Sequence, residues 1–264
     1  MECWGYAYYG QLGNGVDTTT TFYTQPQSVQ GLPAGNITSI SVGYFHVCVV
    51  VDGNDRHDGS YANSTAWCWG SNTYGQIGDG TTTQRNTATK VEGLPGNVTS
   101  IEAAYHGTCA ILAQGSVYCW GSGAYGQRGD DSTTTATQTS ATTPVAVQGL
   151  GDETYYDENR GTVKIEGQVQ VTQISMGYYN VLALTTTGKV YAWGLNTYGC
   201  LGDQTETARA TAVEVTTIPD QYVVTHVSAG YLTSCASTMD GASFCWGGGG
   251  YGQRELGYAR PTHY

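Results

Sequence analysis

Short runs of β-branched and apolar residues alternate along the chain with loops rich in Gly, Thr and Tyr. One such run begins at Ile37 and ends at Tyr44, and similar runs begin at Val98, Val171 and Val224. Runs of this length, bounded by glycine and polar residues, predict short β-strands. No apolar period of 3.6 residues supports a helical solenoid. The pattern therefore predicts an all-β protein.

A Trp-Gly pair occurs five times, and a Tyr-Gly pair follows five residues after each tryptophan. The tryptophans are Trp4, Trp69, Trp120, Trp193 and Trp246. The shorter intervals between them indicate a repeat of about 50 residues, which is long enough for four strands. In the second unit we expect strands near 88–91, 98–103, 109–112 and 116–120. Four-stranded antiparallel sheets with this period predict the blades of a β-propeller.

The repeats predict a single β-propeller domain spanning residues 1–264, with four complete blades and one partial blade. The complete blades are placed at approximately 25–70, 88–121, 143–194 and 211–247. Residues 1–5 are expected to form the last strand of the partial blade, and 248–264 a C-terminal loop and tail. Three arrangements stay open: a tightly closed ring, an open arc completed by a neighbouring chain, and a fragment of a longer protein.

Eight cysteines suggest cross-links within the predicted hairpins. Cys109 precedes Cys119, and Cys235 precedes Cys245, by ten residues with a Gly-centred turn between them. A hairpin with this turn places the two cysteines opposite each other. The third unit lacks both cysteines together, as a cross-strand bond predicts. We therefore predict the disulfides Cys48–Cys68, Cys109–Cys119 and Cys235–Cys245. Zinc is the alternative, but no pair has the C-x₂₋₄-C spacing of a structural site.

Cys3 and Cys200 are left without a partner by this assignment. Two alternatives remain for them: a Cys3–Cys200 bond, and an intermolecular bond through Cys3.

Two motif blocks resemble the regulator of chromosome condensation repeat. They are Cys-Trp-Gly-x-Asn-x-Tyr-Gly-Gln-Ile-Gly-Asp-Gly-Thr-Thr at 68–82 and Val-x-Gly-Leu-Pro at 91–95. The resemblance covers almost the entire chain and implies a propeller fold. The cysteines make the chain similar to the secreted bacterial and environmental kind, not to the nuclear protein. A secreted propeller of this family that inhibits β-lactamase implies a soluble inhibitor as a second kind of function.

Charge and sequons bear on the compartment and the partners. Ten basic residues against 21 acidic ones give a net charge of -11, which argues against nucleic acid as a partner. No apolar stretch is long enough to span a bilayer. N-x-Ser/Thr sequons at Asn36, Asn63 and Asn97, together with the cysteines, predict N-linked glycans and an extracellular or cell-surface location. The start of the chain has no secretory leader pattern, so a leader is expected to have been removed or to lie in a longer chain.

No catalytic, metal or cofactor motif is found, and we predict no enzyme activity, no metal and no cofactor. An insertion at 151–168 combines tyrosines with charges and is predicted to be an interaction loop or a solvated loop. Its candidate contact residues are Tyr155, Tyr156, Asp157, Glu158 and Arg160. The tyrosines of the Tyr-Gly pairs are predicted to pack between blades, with an exposed aromatic surface for carbohydrate or protein as the alternative.

These features predict a secreted, N-glycosylated propeller that serves as a non-enzymatic structural and protein-interaction scaffold. Its expected partners are further copies of itself or an extracellular protein. The alternative is a secreted binding module or enzyme inhibitor that acts through loops on one face of the propeller.

Overall fold

The computed structural model describes residues 1–16, 22–53, 63–132, 140–151, 153–157, 161–165 and 169–249. Within these ranges the chain forms nineteen β-strands and one short 3-10 helix, which confirms the all-β prediction. No helix in this part of the chain has the length and apolar character needed to span a membrane. The chain divides into two compact units, unit 1 (Met1–Ala124 and Thr135–Ala146) and unit 2 (Tyr125–Thr134 and Val147–Tyr264).

Unit 1 contains one two-stranded sheet and two four-stranded sheets, all antiparallel. The two-stranded sheet pairs β1 (Glu2–Tyr6) with β2 (Phe22–Ser28). Sheet I comprises β3 (Asn36–Val42), β4 (His46–Asp52), β5 (Ser64–Gly70) and β6 (Arg85–Lys90). Sheet II comprises β7 (Val98–Ala103), β8 (Gly107–Leu112), β9 (Val117–Ser122) and β10 (Ser140–Ala146). Each four-stranded sheet is a meander whose strands follow chain order.

Unit 2 contains a hairpin and two larger antiparallel sheets. The hairpin pairs β11 (Glu153–Asp157) with β12 (Gly161–Ile165). Sheet III comprises β13 (Val171–Met176), β14 (Asn180–Thr185), β15 (Val190–Gly194) and β16 (Arg209–Glu214), and the 3-10 helix (Thr197–Gly199) follows β15. Sheet IV has three strands in the described residues, β17 (Val224–Ala229), β18 (Thr233–Thr238) and β19 (Ser243–Gly247). The predicted C-terminal tail from residue 250 onward lies outside the described residues.

In sheets I, II and III the fourth strand follows the third strand, whereas the predicted blade boundaries placed it at the start of the next blade. Cys68 of β5 lies opposite Thr89 of β6, so the strand predicted near 88–91 belongs to sheet I. The loops after Trp69 and Trp193 reverse the chain and return it along the free edge of the third strand. For the same reason β1 is not the last strand of its sheet, since β2 follows it and pairs with it.

The two faces of sheet I pack against different partners within unit 1. Cys48 and Val50 of β4 belong to the same buried cluster as Ile101 of sheet II. Val49 lies on the opposite face, in a cluster against which Cys3 of β1 packs. Alternate residues of one strand therefore bury apolar side chains on both sides of the sheet, as expected for a central strand.

Polar side chains join the first strands of neighbouring sheets. Ser41 Oγ of β3 accepts a hydrogen bond from the backbone N–H of Ala103 in β7, at 2.9 Å. In unit 2, Ser175 Oγ of β13 accepts the equivalent bond from Ala229 of β17, also at 2.9 Å. These serines satisfy backbone donors at the edge of the next sheet, where no strand pairs with them.

The tryptophans of the Trp-Gly pairs in sheets I to IV are buried, and each donates its indole N–H to a backbone carbonyl in the preceding Tyr-Gly loop. The donor–acceptor distances are Trp69 to Gln11, 3.0 Å; Trp120 to Gln76, 2.9 Å; Trp193 to Gln127, 3.1 Å; and Trp246 to Cys200, 3.0 Å. A buried indole N–H needs such an acceptor. Each bond fixes the third strand of one sheet to the loop that precedes it.

Two of these carbonyls accept a second hydrogen bond. Gln76 O accepts from the Thr108 hydroxyl at 2.8 Å, and Cys200 O accepts from the Ser234 hydroxyl at 2.7 Å. A carbonyl oxygen has two lone pairs, so both are used at these positions.

A glycine two residues after each of these carbonyls allows the indole to approach. Gly78 has a φ of +79°, and a Cβ added to it would lie 2.7 Å from Nε1 of Trp120. Gly13, Gly129 and Gly202 meet Trp69, Trp193 and Trp246 at 2.8, 3.0 and 2.7 Å in the same way. A side chain at these positions would displace the tryptophan and would also strain the left-handed backbone.

We expect Trp120→Phe to lower the free energy of unfolding by about 1–3 kcal/mol, because it removes a buried donor and leaves a gap. Trp4 occupies the same repeat position but is 65% exposed, so Trp4→Phe serves as the matched control. Its effect should stay within about 0.5 kcal/mol. Urea unfolding followed by circular dichroism measures both variants. Equal losses would show that the buried indole bond does not stabilise the sheet interface.

Candidate functional site

An aromatic cluster lies where the first two strands of sheets I and II are joined. Tyr44 and Phe45 form the β3–β4 turn, and Tyr105 and His106 form the β7–β8 turn. The Tyr44 and Tyr105 rings pack edge to face with their centroids 5.2 Å apart, and the Tyr105 and His106 centroids are 3.8 Å apart. Tyr44 is 66% exposed. The turns therefore present aromatic side chains to solvent at one end of unit 1.

The tyrosines of the Tyr-Gly loops extend this cluster. Tyr9 packs against Phe45 with a centroid distance of 4.4 Å, and Tyr74 packs against His106 at 4.2 Å. Both are contacts between a loop and the following sheet, as predicted for these tyrosines. We call the set the aromatic surface of unit 1; its members are Tyr9, Tyr44, Phe45, Tyr74, Tyr105 and His106.

Unit 2 has an equivalent group of its own. Tyr125 packs against Tyr179 at 4.5 Å, and Tyr178 packs against Tyr231 at 4.8 Å. Tyr198, at the position of Tyr74, is largely exposed and has a φ of +62°. Cys200 replaces the glutamine that accepts the backbone N–H of Tyr9, Tyr74 and Tyr125 in their loops, so this loop holds its tyrosine differently.

Polar contacts within the loop hold Tyr74 in place. Gln76 Oε1 accepts the backbone N–H of Tyr74 at 3.0 Å, and Asn72 Oδ1 accepts that of Ile77 at 3.0 Å. Asp79 pairs with Arg85 across the loop, with 2.6 Å between Oδ2 and Nε. Burial raises the pKa of Asp79, but hydrogen bonds from Thr81 and Arg85 outweigh it and lower the pKa overall. The carboxylate therefore stays ionised and keeps the loop closed.

A buried histidine lies beneath the aromatic surface of unit 1. His46 is fully buried, and its Nε2 is 2.9 Å from Oγ1 of Thr108 in sheet II. Burial, with a smaller contribution from His106, lowers the pKa of His46 to about 3. Burial also lowers the pKa of His106 to about 4. Sheet III has Asn180 at the position of His46, and this asparagine contacts Ser234 in the same way, at 3.4 Å. His46 therefore has a structural role, because it bonds sheet I to sheet II.

The structure contains the three disulfides Cys48–Cys68, Cys109–Cys119 and Cys235–Cys245. They are the same pairs that the hairpin spacing predicts, and each joins residues directly opposite each other on the second and third strands. In sheet III, Leu182 and Ala192 occupy the two positions and also lie opposite each other.

Cys3 and Cys200 both carry free thiols, so the structure does not contain the Cys3–Cys200 bond considered from the sequence. Cys200 is buried, and its Sγ lies 3.1 Å from the carbonyl oxygen of Leu195. Burial raises the pKa of Cys200 to about 11 and also raises that of Cys3. Neither thiol is activated as a nucleophile.

The sequon asparagines lie in different surroundings. Asn36 is exposed at the start of β3. Asn63 is exposed with a φ of +75°, and its backbone N–H donates to Oδ1 of Asn97 at 3.0 Å. Asn97 is half-buried. The carboxamide of Asn97 therefore already has a structural partner.

The predicted interaction loop contains two strands. Tyr155, Tyr156 and Asp157 lie in β11, while Glu158 and Arg160 lie outside the described residues. Both segments are rich in β-branched and aromatic residues, which favour strands.

Two kinds of residue in the site are not predicted from the sequence. Phe45, His106 and Tyr179, each the second residue of the turn after a first strand, pack against the loop tyrosine. The hydroxyls of Thr108 and Ser234 join the polar contacts between sheets. These residues occupy the same position in each repeat, which could have identified them. Their residue types differ between repeats, so the sequence pattern does not single them out.

The comparisons with known proteins agree with this geometry. A model of the regulator of chromosome condensation (RCC1) repeat matches residues 3–50, 63–111, 114–184 and 187–237, which make up most of the chain. The chain belongs to the RCC1 repeat family. A second model of the RCC1 repeat matches residues 37–76, 98–127, 171–200 and 224–253.

Curated RCC1-repeat relatives align along almost the whole chain. The chain is 28% identical over 260 residues to ultraviolet-B receptor UVR8 of Arabidopsis thaliana, covering 97% of this chain and 51% of that protein. It is 27% identical over 245 residues to E3 ubiquitin-protein ligase HERC2 of Homo sapiens, covering 92% of this chain and 4% of that protein. The chain thus spans about half the length of the first relative and a small part of the second.

A solved structure shows the same fold. The crystal structure of human WBSCR16 superposes with a TM-score of 0.50 at 19% identity, covering 85% of this chain and 64% of that one. At this identity the likeness concerns the fold alone.

We expect acid to weaken the interface between sheets I and II through His46. Its pKa is about 3 when folded and about 6.5 in an unfolded chain, so its stabilising effect is complete above pH 6.5. The effect is lost as the pH falls from 6.5 towards 3, which amounts to roughly 2–3 kcal/mol by pH 4.5.

His46→Asn, which copies Asn180 of sheet III, should reduce this loss. Urea midpoints at pH 7.5 and 4.5 measure it, with the exposed His226→Asn as a control. If the His46→Asn chain loses as much stability in acid as the parent, proton uptake by His46 is not the cause.

Proposed function

We propose that this RCC1-repeat chain is a secreted or cell-surface glycoprotein that acts, without enzyme activity, as a protein-interaction scaffold in an extracellular assembly. The observation that carries the proposal is the set of three cross-strand disulfides. Such bonds persist in oxidising compartments and are rare in the cytosol.

Sheet III supports this interpretation of the disulfides. Leu182 and Ala192 pack at the cysteine positions, so the strand pairing does not require a covalent bond. The bonds in sheets I, II and IV therefore add stability to a pairing that packing already specifies. Each short-loop disulfide contributes about 2–3 kcal/mol in a chain that stays oxidised.

The sequons also support the proposal that the chain is glycosylated, but the three sites do not support it equally. The Thr99 hydroxyl donates to Ile111 O at 3.1 Å, and Thr172 makes the same bond in sheet III, where no sequon occurs. The fold therefore explains the threonine at this position, so only the asparagine of the sequon is evidence for a glycan. Asn36 is the best placed for a glycan because it is exposed, whereas the carboxamide of Asn97 is already bonded.

The proposed role as a protein-interaction scaffold is supported by exposed tyrosine side chains. Tyr44 and Tyr231 present exposed aromatic rings on the two units, and tyrosine is enriched in protein interfaces. Their rings are held by neighbouring aromatic side chains, so little side-chain freedom is lost on binding. This arrangement suits a protein partner.

The compartment and the glycans are tested on the protein isolated from the cells that make it. We expect it in the medium or at the surface, with two thiols alkylated before reduction and all eight after. Enzymatic deglycosylation should lower the mass of the parent and of Asn97→Gln, and Asn36→Gln should lack one glycan. Eight reactive thiols in a cytosolic fraction would contradict the proposal.

A second candidate is a binding module or enzyme inhibitor that acts through the aromatic surface of unit 1. The exposure of Tyr44 beside Tyr105 favours it. Tyr44→Ser should then weaken capture of the target at least tenfold, as expected when an aromatic contact at an interface is lost. The exposed Met239→Ser serves as the control on another surface. Unchanged capture by the Tyr44→Ser chain would exclude this surface as the binding site.

A further inference from the structure

A directional hydrogen-bond chain crosses the interface between sheets I and II. The Thr108 hydroxyl of β8 donates to Gln76 O at 2.8 Å. Its single proton is used in that bond, so the hydroxyl accepts the bond from His46 Nε2, which lies 2.9 Å away. The neutral imidazole of His46 therefore carries its proton on Nε2, and a second proton would have to bind to Nδ1.

Nδ1 of His46 has no place for a second proton while the two sheets are packed together. The atom is buried and has no hydrogen-bond partner within the described residues. A Cβ added to Gly43 would lie 2.9 Å from Nδ1 and 2.4 Å from Ala104 O, so no water molecule fits at that point. A charged imidazolium at His46 therefore requires that sheets I and II part and admit water.

His106, in the β7–β8 turn, is in a similar position. Its Nδ1 is buried and likewise has no partner in the part of the chain that the structure describes. Its ring packs against those of Tyr105 and Tyr74, with centroid distances of 3.8 and 4.2 Å. Burial lowers the pKa of His46 to about 3 and that of His106 to about 4. Both side chains therefore stay neutral at pH 5 while the interface is closed.

Glu102 is the one side chain able to carry a charge on the strands that pack against His46, which are β3, β5, β7 and β8. Burial raises the pKa of Glu102 more than the 3.1 Å hydrogen bond from Ser41 lowers it. Protonation of Glu102 therefore favours the closed interface and opposes the histidines. The adjoining turns and loop add these titratable groups: Tyr44, Tyr105, His106, Tyr74 and Asp79. His106 is the member of this set that acts electrostatically on His46.

Unit 2 contains the same hydrogen-bond chain with asparagine in place of histidine. Asn180 Nδ2 donates to Ser234 Oγ at 3.4 Å, and the Ser234 hydroxyl donates to Cys200 O at 2.7 Å. Tyr179 stands at the position of His106. A carboxamide takes up no proton in mild acid, so the interface between sheets III and IV has the same contacts without the titratable imidazoles.

We propose that mild acid opens the interface between sheets I and II, and with it the aromatic surface of unit 1, while the interface between sheets III and IV stays closed. Opening admits water to the two imidazoles, which then bind protons as histidine does in an unfolded chain. Tyr44 and Tyr105 belong to different sheets, so parting the sheets also separates their rings. Release of a partner in acid rests on the binding role proposed for this surface, whereas the opening itself does not.

Two backbone amides report on the two interfaces. The N–H of Ala103 donates to Ser41 Oγ between sheets I and II, and that of Ala229 donates to Ser175 Oγ between sheets III and IV, both at 2.9 Å. Each amide can exchange with solvent when its own interface opens. The parent chain therefore contains its own matched control.

The test measures hydrogen exchange of these two amides by NMR in the purified, ¹⁵N-labelled chain at pH 7.5, 6 and 5. Protection is the exchange rate of an unstructured peptide at the same pH divided by the observed rate, which removes the intrinsic effect of pH. Because the pKa of His46 is about 3 when the interface is closed and about 6.5 when it is open, the closed state is fully stable above pH 6.5 and loses stability below it. Protection of Ala103 should fall roughly 30-fold between pH 7.5 and 5 through His46, and that of Ala229 less than about threefold.

Three variants assign the effect to the histidines. His46→Asn, which introduces the residue of sheet III, should remove the 30-fold contribution of His46 at Ala103. Adding His106→Tyr, again the residue of sheet III, should make Ala103 respond to pH as Ala229 does. Glu102→Gln is the control at the same interface, and it should leave the fall at Ala103 as large as in the parent or larger.

An equal fall in protection at Ala103 and Ala229 in the parent chain would overturn the proposal, and so would a fall at Ala103 that persists in the double variant. The first comparison needs no substitution, so it decides the proposal even where a variant does not fold. The measurement also needs no partner. A negative capture experiment with a positive exchange result therefore rejects only the binding role, and the reverse result rejects only the acid opening.

Discussion

The bond from a buried indole N–H to a loop carbonyl is the contact on which the rest of the structure depends. The tryptophan must lie at the end of the third strand, and the Tyr-Gly loop before its sheet must offer the carbonyl of the residue that follows the glycine. Trp120 and Gln76 show the arrangement at 2.9 Å. Because indole and carbonyl come from successive repeats, each repeat is incomplete without the one before it.

This constraint explains residue types that composition alone leaves unexplained. Gly78 is required because any Cβ would meet the Trp120 ring at 2.7 Å. Thr108 and Ser234 supply the second hydrogen bond to the same carbonyls, and His46 and Asn180 in turn contact these hydroxyls. These four side chains therefore form polar contacts between neighbouring sheets, where a buried hydroxyl needs a partner. Trp4 occupies the same repeat position but is exposed, as are Ile40 and Val42 of β3.

Much of this could be predicted from the sequence because the repeat fixes local geometry. The ten-residue spacing of Cys109 and Cys119 specifies a hairpin register, and the structure has that register. The sequence does not show to which sheet the fourth strand belongs. The strand that contains Ala88 could pair with the preceding β5 or with the following β7, and the contacts that decide this leave no local sequence pattern. The hydrogen bond between Asn63 and Asn97 joins residues from different parts of the chain, so it could not be predicted from the sequence either. The strands Glu153–Asp157 and Gly161–Ile165 lie where charges and tyrosines predict a loop, because their hydrophobic alternation is weak.

Solvent exchange of the indole N–H protons tests the central claim most directly. In a ¹⁵N-labelled sample the six tryptophans give separate signals. Slow exchange at Trp69, Trp120, Trp193 and Trp246, with fast exchange at Trp4, is the result that the account requires. Fast exchange at any of the four buried indoles, or protection of Trp4 equal to theirs in the monomer, would contradict it.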